Sequence, residues 1–202
     1  MPHTCGVAFS RVGRVTVVEY RGDSGPATAA LVAGGVVDVA DFPKPGIAFK
    51  DLTPLFADGD RFRAVIDAIV GHYTAGGERS FDVVVGVEAR GFVIAAAVAY
   101  AAGVGVVPVR KAGKLPRVAH SASYALEYGQ ATLEVSEGAF VAGQRVVVVD
   151  DVLATGGTAE ATLELVERAG GVVAGLTVLM ELSFLAGRER LPGRDVHALL
   201  VV

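Results

Sequence analysis

The sequence predicts an α/β fold in which a mainly parallel central sheet is flanked by helices. Valine-rich apolar runs recur at Phe81–Val87, Val104–Val109, Val146–Val149, Val172–Met180 and Val196–Val202. They lack the polar–apolar alternation of a half-exposed strand, as expected of parallel strands covered on both faces. Helical composition separates several of them, most clearly at Phe92–Ala102 and Thr158–Ala169. Charged or small-residue segments leave three of the runs, at the carboxyl edge where open α/β sheets bind ligands. The order of the strands cannot be read at this stage.

With 202 residues the chain can bury one good core. Residues 1–26 read as an arm with no assignable role or guaranteed order, and 27–202 as a single domain. The balance of 18 basic against 22 acidic residues gives a net charge of −4, so no basic excess points to nucleic acid. Cys5 is the only cysteine, which excludes an intramolecular disulfide and suits a reducing compartment. The uncharged stretch Phe92–Val109 is long enough to suggest a membrane span. It is rich in Ala and Gly, however, and Gly103 and Pro108 divide it, so a covered helix followed by a buried strand explains it better. No basic, apolar leader pattern opens the sequence, and a cytoplasmic protein is expected.

Taken in order, Arg21–Pro26 reads as a turn and Ala27–Val39 as a short helix weakened by Gly34-Gly35. Asp41–Pro54 contains Pro43, Pro45, Gly46 and Pro54, which fix a non-helical backbone. Its peptide groups cannot all enter a ladder, so such a loop can offer them to the edge of a heterocycle; a rigid connector is the competing reading. Asp58–Ala75 predicts an amphipathic helix with Phe62, Val65, Ile66, Ile69 and Val70 on one side.

The strand Phe81–Val87 runs directly into Glu88-Ala89-Arg90-Gly91. Arg90, with its planar fork of donors, suits an oxyanion, and a surface salt bridge is the plainer alternative. The next strand ends in Arg110-Lys111-Ala112-Gly113-Lys114-Leu115-Pro116-Arg117, which gathers four cations at a third strand end. Val118–Val135 is polar and weakly periodic, a long excursion or hairpin able to fold over a site as a lid.

The most informative stretch is Val146–Thr158. Four valines lead to Asp150-Asp151, then Val152-Leu153-Ala154-Thr155-Gly156-Gly157, and a helix opens at Thr158. Glycines at such a bend let the backbone approach a ligand, and the amides of a helix N-terminus favour a phosphate. An aspartate there could merely cap the helix. A phosphate cradle beside two carboxylates that can accept hydroxyls describes a sugar-phosphate site. The bend is not a G-x-x-x-x-G-K-[ST] loop, and Gly103-Val104-Gly105 is not a dinucleotide fingerprint, because Pro108 occupies the third glycine position. His3, His72, His120 and His197 are scattered, so no protein-made metal site is expected.

Val146–Thr158 resembles the phosphoribosyl diphosphate (PRPP) motif of type I phosphoribosyltransferases. Three further stretches, Asp41–Pro54, Glu88–Phe92 and Arg110–Gly129, resemble the adenine-using members in order and spacing. The resemblance runs from Asp41 to the C-terminus. Ala119 stands where that family often has Thr, and nothing before about Ala27 matches.

The resemblance implies the type I fold, with a small N-terminal hood over the base and a flexible lid loop, and transfer of phosphoribosyl from PRPP to adenine N9. Ala154, Thr155, Gly156, Gly157 and Thr158 would hold the 5′-phosphate, and Asp150 and Asp151 the ribose hydroxyls. Ala89, Arg90 and Gly91, supported by Arg110, Lys111 and Lys114, would face the diphosphate, with a non-proline cis peptide near Glu88-Ala89. Ala48 and Lys50 would read the adenine edge, Leu182 would stack on the ring, and Glu127 would take or share the purine proton. Mg²⁺ would arrive on substrate oxygens and water, and a homodimer is implied. The alternatives are an enzyme for a 6-oxopurine or orotate, and a non-catalytic PRPP-sensing regulator. The negative charge and short arm speak against a regulator that binds nucleic acid.

Overall fold

The computed structural model describes residues 20–126 and 129–202. The chain begins with α1 (Pro26–Ala33), β1 (Val37–Val39), β2 (Phe49–Asp51), α2 (Thr53–Ala57) and α3 (Gly59–Thr74). It continues through β3 (Val83–Val87), α4 (Arg90–Ala102), β4 (Gly105–Lys111), β5 (Val118–Leu126) and β6 (Gly129–Ser136). The last part holds β7 (Arg145–Leu153), α5 (Gly157–Arg168), β8 (Val172–Glu181), the 3₁₀ turns Ser183–Leu185 and Gly187–Arg190, and β9 (Val196–Val201).

The main sheet has seven strands in the order β5-β6-β4-β3-β7-β8-β9. The five from β4 to β9 are mutually parallel, while β6 pairs antiparallel with both β4 and β5. The absence of alternation in the valine runs now has a cause. Val84, Val147 and Val149 enter the core on one face with Ile69, Ile94 and Val98, while Val85, Val146 and Val148 enter the other with Leu163, Val166 and Leu133. Each neighbour along the strand is buried, on opposite sides. Fully burying one such side chain stabilises the fold by about 1.5–3 kcal/mol.

That strand order creates a topological switch point between β3 and β7. From β3 the chain crosses through α4 to β4 on one side, and from β7 it crosses through α5 to β8 on the other. The two helices pack on opposite faces, so the carboxyl ends of β3 and β7 open a crevice, the usual binding position in such sheets.

Several boundaries differ from the sequence expectation. Val37–Val39 is a strand, not the end of a helix: α1 stops at Gly34, and β1 pairs antiparallel with β2 to form a separate two-stranded hood. Strand β7 does not stop at Val149 but continues through both aspartates to Leu153, because β8 keeps pairing with it as far as Leu153↔Glu181. Helix α4 begins at Arg90, so Arg90 and Gly91 form its first turn. The excursion after β4 is an antiparallel hairpin whose base is packed, with Ala122, Leu133 and Val135 buried and Arg168 of α5 donating to the Ser121 carbonyl at 2.8 Å. Helix α3 starts on Asp58, whose side chain accepts the Arg61 amide at 3.0 Å.

Within the stretch read as an arm, Arg21 bridges Val201 of the edge strand β9, and Asp23 accepts the Ala198 amide at 2.8 Å. Among the described residues no helix is long and apolar enough to cross a membrane.

Candidate active site

A cleft of about 570 Å³ lies over the carboxyl ends of β3 and β7. Its lining includes Ala48 and Lys50 from the hood, Ala89 and Arg90 after β3, Lys111 from the end of β4, Asp150 and Asp151 from β7, Ala154 and Thr158 from the bend, and Leu182 after β8. Residues from widely separated stretches thus converge on one space. A smaller cavity of about 60 Å³ adjoins the bend and is lined by Leu153 through Ala159 together with Asp150, Val152 and Val178.

The bend itself is shaped by backbone needs. Gly156 has φ 84° and occupies the cap position of α5, and no side chain caps that helix. The first amides of α5 therefore face the bend without a side-chain acceptor, which leaves the positive end of the helix dipole for an anion. The aspartates stand next to it. Asp151 is buried, and its Oδ2 forms an ion pair with Arg90 Nε yet accepts no hydrogen bond. Asp150 Oδ1 accepts the Asp151 amide at 2.9 Å. Burial pushes the Asp150 carboxyl well above its ordinary range, and the adjacent Asp151 charge adds to this against the pull of the Asp151 amide. Such a pair can accept hydroxyl donors and favours positive charge beside it.

Across the crevice, the Glu88–Ala89 peptide is cis, where the resemblance placed it. Gly91 is needed for clearance: a Cβ there would lie 2.8 Å from the Val149 carbonyl oxygen and 3.0 Å from Asp150 Oδ1. Glu88 Oε2 accepts both Arg110 Nε at 3.0 Å and the Lys111 amide at 2.9 Å. That amide, with Arg110 behind it, holds the Glu88 carboxyl below the usual range despite the opposing effect of burial. Arg110 also lies over the Phe92 ring, 5.7 Å from its centre. It is thus held at the back of the loop and does not line the cleft. Lys114 is exposed in the turn between β4 and β5, away from the cleft lining.

In the hood, Lys50 Nζ reaches Asp38 Oδ1 at 2.7 Å across paired strands, opposite residues in the β1–β2 register. Phe49 meets Phe42 edge-on at 5.1 Å, and the Arg90 guanidinium sits 5.2 Å from the Phe49 ring centre. Glu127 lies outside the described residues, between the ends of β5 and β6.

The cleft also contains Ile47, Phe49, Glu88, Tyr124 and Val152, to which the sequence reading gave no role. Phe49 sits between two residues that were named, and Glu88 directly precedes Ala89. Nothing local in the sequence says that Tyr124 points back to β7, since that depends on how the hairpin docks.

A model of the phosphoribosyl transferase domain matches residues 55–194. The chain is 76% identical over 184 residues to an adenine phosphoribosyltransferase of Salinispora arenicola, spanning 91% of this chain and 96% of the other. Its fold is similar to that of adenine phosphoribosyltransferase from Saccharomyces cerevisiae complexed with D-2,5-dideoxy-2,5-imino-altritol 1,6-bisphosphate and adenine, with a TM-score of 0.82 at 41% identity over 86% of this chain and 99% of that one. It is also similar to the enzyme of Trypanosoma brucei in complex with AMP, pyrophosphate and ribose-5-phosphate, with a TM-score of 0.77 at 25% identity over 90% and 81% of the two chains.

Proposed function

This chain belongs to the adenine phosphoribosyltransferase family, and from that premise we propose that its cleft transfers the phosphoribosyl group of PRPP to adenine N9, releasing diphosphate and AMP. One observation carries the assignment of roles. The cleft brings together hood residues, a carboxylate pair, a cationic loop and an uncapped helix start, the kinds of group that a base, a ribose, a diphosphate and a phosphate call for.

The 5′-phosphate sits against the amides of Ala154, Thr155, Gly156, Gly157 and Thr158. Asp150 and Asp151 accept the ribose hydroxyls. As the anomeric C–O bond breaks, the sugar gains oxocarbenium character, and the same carboxylates favour that charge. The departing diphosphate takes the bond's electrons and is met by Ala89, Arg90, Gly91 and Lys111, with Arg110 oriented by Glu88. Lys114 and Glu127 join when the hairpin closes over the cleft, which also keeps water from the activated sugar. Adenine, seated against Ala48, Lys50 and Leu182, attacks through N9 as its ring proton passes to Glu127.

Among the described residues no group of three or more His, Cys, Asp or Glu could hold an ion. The carboxylate oxygens of Asp150 and Asp151, although Asp151 Oδ2 is already paired with Arg90, fit Mg²⁺ brought in on diphosphate and water, an ion that needs few protein ligands. Bound there, Mg²⁺ would offset leaving-group charge.

Family membership suggests a homodimer, for which the individually exposed Val93, Tyr100 and Val106 of α4 and β4 are candidate contact residues. A cytoplasmic setting accords with the single cysteine. Residues 27–202 form the catalytic domain in this reading.

Diphosphate release from PRPP and Mg²⁺, measured across adenine, hypoxanthine, guanine and orotate, tests the proposal. Turnover with adenine far above the others is expected. Preference for an oxopurine or orotate would overturn the base assignment, and no turnover with any base, alongside PRPP-dependent nucleic-acid binding, would favour a regulator.

A further inference from the structure

The 3₁₀ turn after β8 passes directly behind the phosphate bend. A Cβ on Gly156 would strike the Gly187 carbonyl oxygen and lie 3.3 Å from Arg190 Cβ. The reverse also holds: a Cβ on Gly187 would come within 3.0 Å of both the Ala154 carbonyl carbon and the Gly156 amide nitrogen, and closer still to the Ala154 oxygen. The two glycines therefore face each other at backbone contact. Their reasons differ. Gly156 has φ 84°, a conformation that itself favours glycine, whereas Gly187 is not among the positive-φ residues. Alanine could adopt the Gly187 backbone, so only clearance to the bend requires glycine there.

The turn cannot readily retreat. Arg188 holds it to Glu181 at 2.6 Å, to the Val196 carbonyl at 2.8 Å and to Asp23 at 3.0 Å. Leu191 is buried behind it, and before the preceding Ser183–Leu185 turn the Leu182 amide donates to the Leu153 carbonyl at 2.9 Å. Added bulk would move the bend instead, and with it the amides of Gly156 and its neighbours.

We propose that Gly187 is a positioning residue for the 5′-phosphate: it backs the bend at backbone distance and sets where the phosphate-binding amides point. This rests on the reading of Ala154–Thr158 as the phosphate site.

The test is calorimetric titration of the full chain with AMP and with adenine, plus PRPP kinetics, for Gly187→Ala and Gly156→Ala. Gly187→Ala should weaken AMP binding and raise KM for PRPP about tenfold or more, as ångström-scale misplacement does, with adenine affinity and kcat within about threefold. Equal losses for AMP and adenine would overturn the proposal, since a general structural defect does not distinguish them. Unchanged AMP binding in Gly187→Ala, with loss in Gly156→Ala, would remove the role of Gly187 and leave the phosphate site standing. Unchanged AMP binding in both would remove the phosphate site as well. Should Gly187→Ala not fold, Ala186→Gly/Gly187→Ala carries the same test, because Ala186 at φ 52° gains from glycine.

Discussion

Arg90 and Asp151 form an ion pair across the crevice between β3 and β7. The pair joins the first turn of α4 to the acids at the end of β7. Because Arg90 also covers the Phe49 ring, it links hood, floor and loop through one side chain. It offsets part of the charge that Asp151 carries into a buried position.

Replacing both Asp150 and Asp151 with Asn separates their sugar role from any structural one. Burial and mutual repulsion already make Asp150 hard to ionise, so the isosteric double variant should still fold, losing mainly the Arg90–Asp151 pair. Its kcat/KM for PRPP should fall about 10²-fold or more, the scale of losing electrostatic transition-state stabilisation. Wild-type kinetics in a folded double variant would refute the assignment.

Glu88 carries a narrower expectation. Its carboxylate holds Arg110 and the Lys111 amide together. Glu88→Gln keeps an acceptor for the amide but loses the charge that orients Arg110. KM for PRPP and inhibition by diphosphate should both weaken by about tenfold, while adenine binding stays as it was. A variant with unaltered diphosphate inhibition would show that Arg110 needs no such hold.

Glu127, which lies between β5 and β6 in sequence, acts in this account mainly in the transition state. Glu127→Ala should lower kcat by about 10²-fold with little change in KM, within the usual range for acid–base groups. An unchanged kcat would dismiss it.

Far from the cleft, His197 is buried against Ser24, Thr177, Tyr73 and the stacked ring of His72, 3.8 Å away. Burial, then the neighbouring His72, lowers its pKa from 6.5 to about 4, against the weaker upward pull of Asp23 and Asp195. Between those values the unfolded chain binds the extra proton, so stability should rise with pH through this window and be lost as pH falls from 6.5 to 4. Denaturant unfolding over that range should show the slope in wild type and a shallower one in His197→Gln. Identical slopes would assign the acid sensitivity to carboxylates.

The sheet was legible because buried valine runs and helix-forming stretches are local signals. The strand order was not, because it depends on which side each crossover takes, and it is the order that opens the crevice. Val37–Val39 misread as helix for a related reason: three residues carry no period of their own, and only pairing with Phe49–Asp51 makes them a strand. At the site, Asp150, Asp151, Arg90 and the glycine bend stood out because chemistry and backbone demands coincide in one short motif. The positions of Arg110 and Lys114 could not be read from their charge. Arg110 is turned toward Glu88 and Phe92, and Lys114 stays on an exposed turn. Gly187 carried no local sign at all, since its constraint comes from Ala154 and Gly156 across the fold.

The central claim is that the bend before α5 seats the nucleotide's phosphate while the adjoining acids hold its ribose. A crystal structure of the protein with AMP tests this most directly. The phosphate should lie against the amides of Thr155–Thr158, with the ribose hydroxyls on Asp150 and Asp151 and the base beside Leu182. A well-occupied nucleotide whose phosphate lies anywhere else would contradict it.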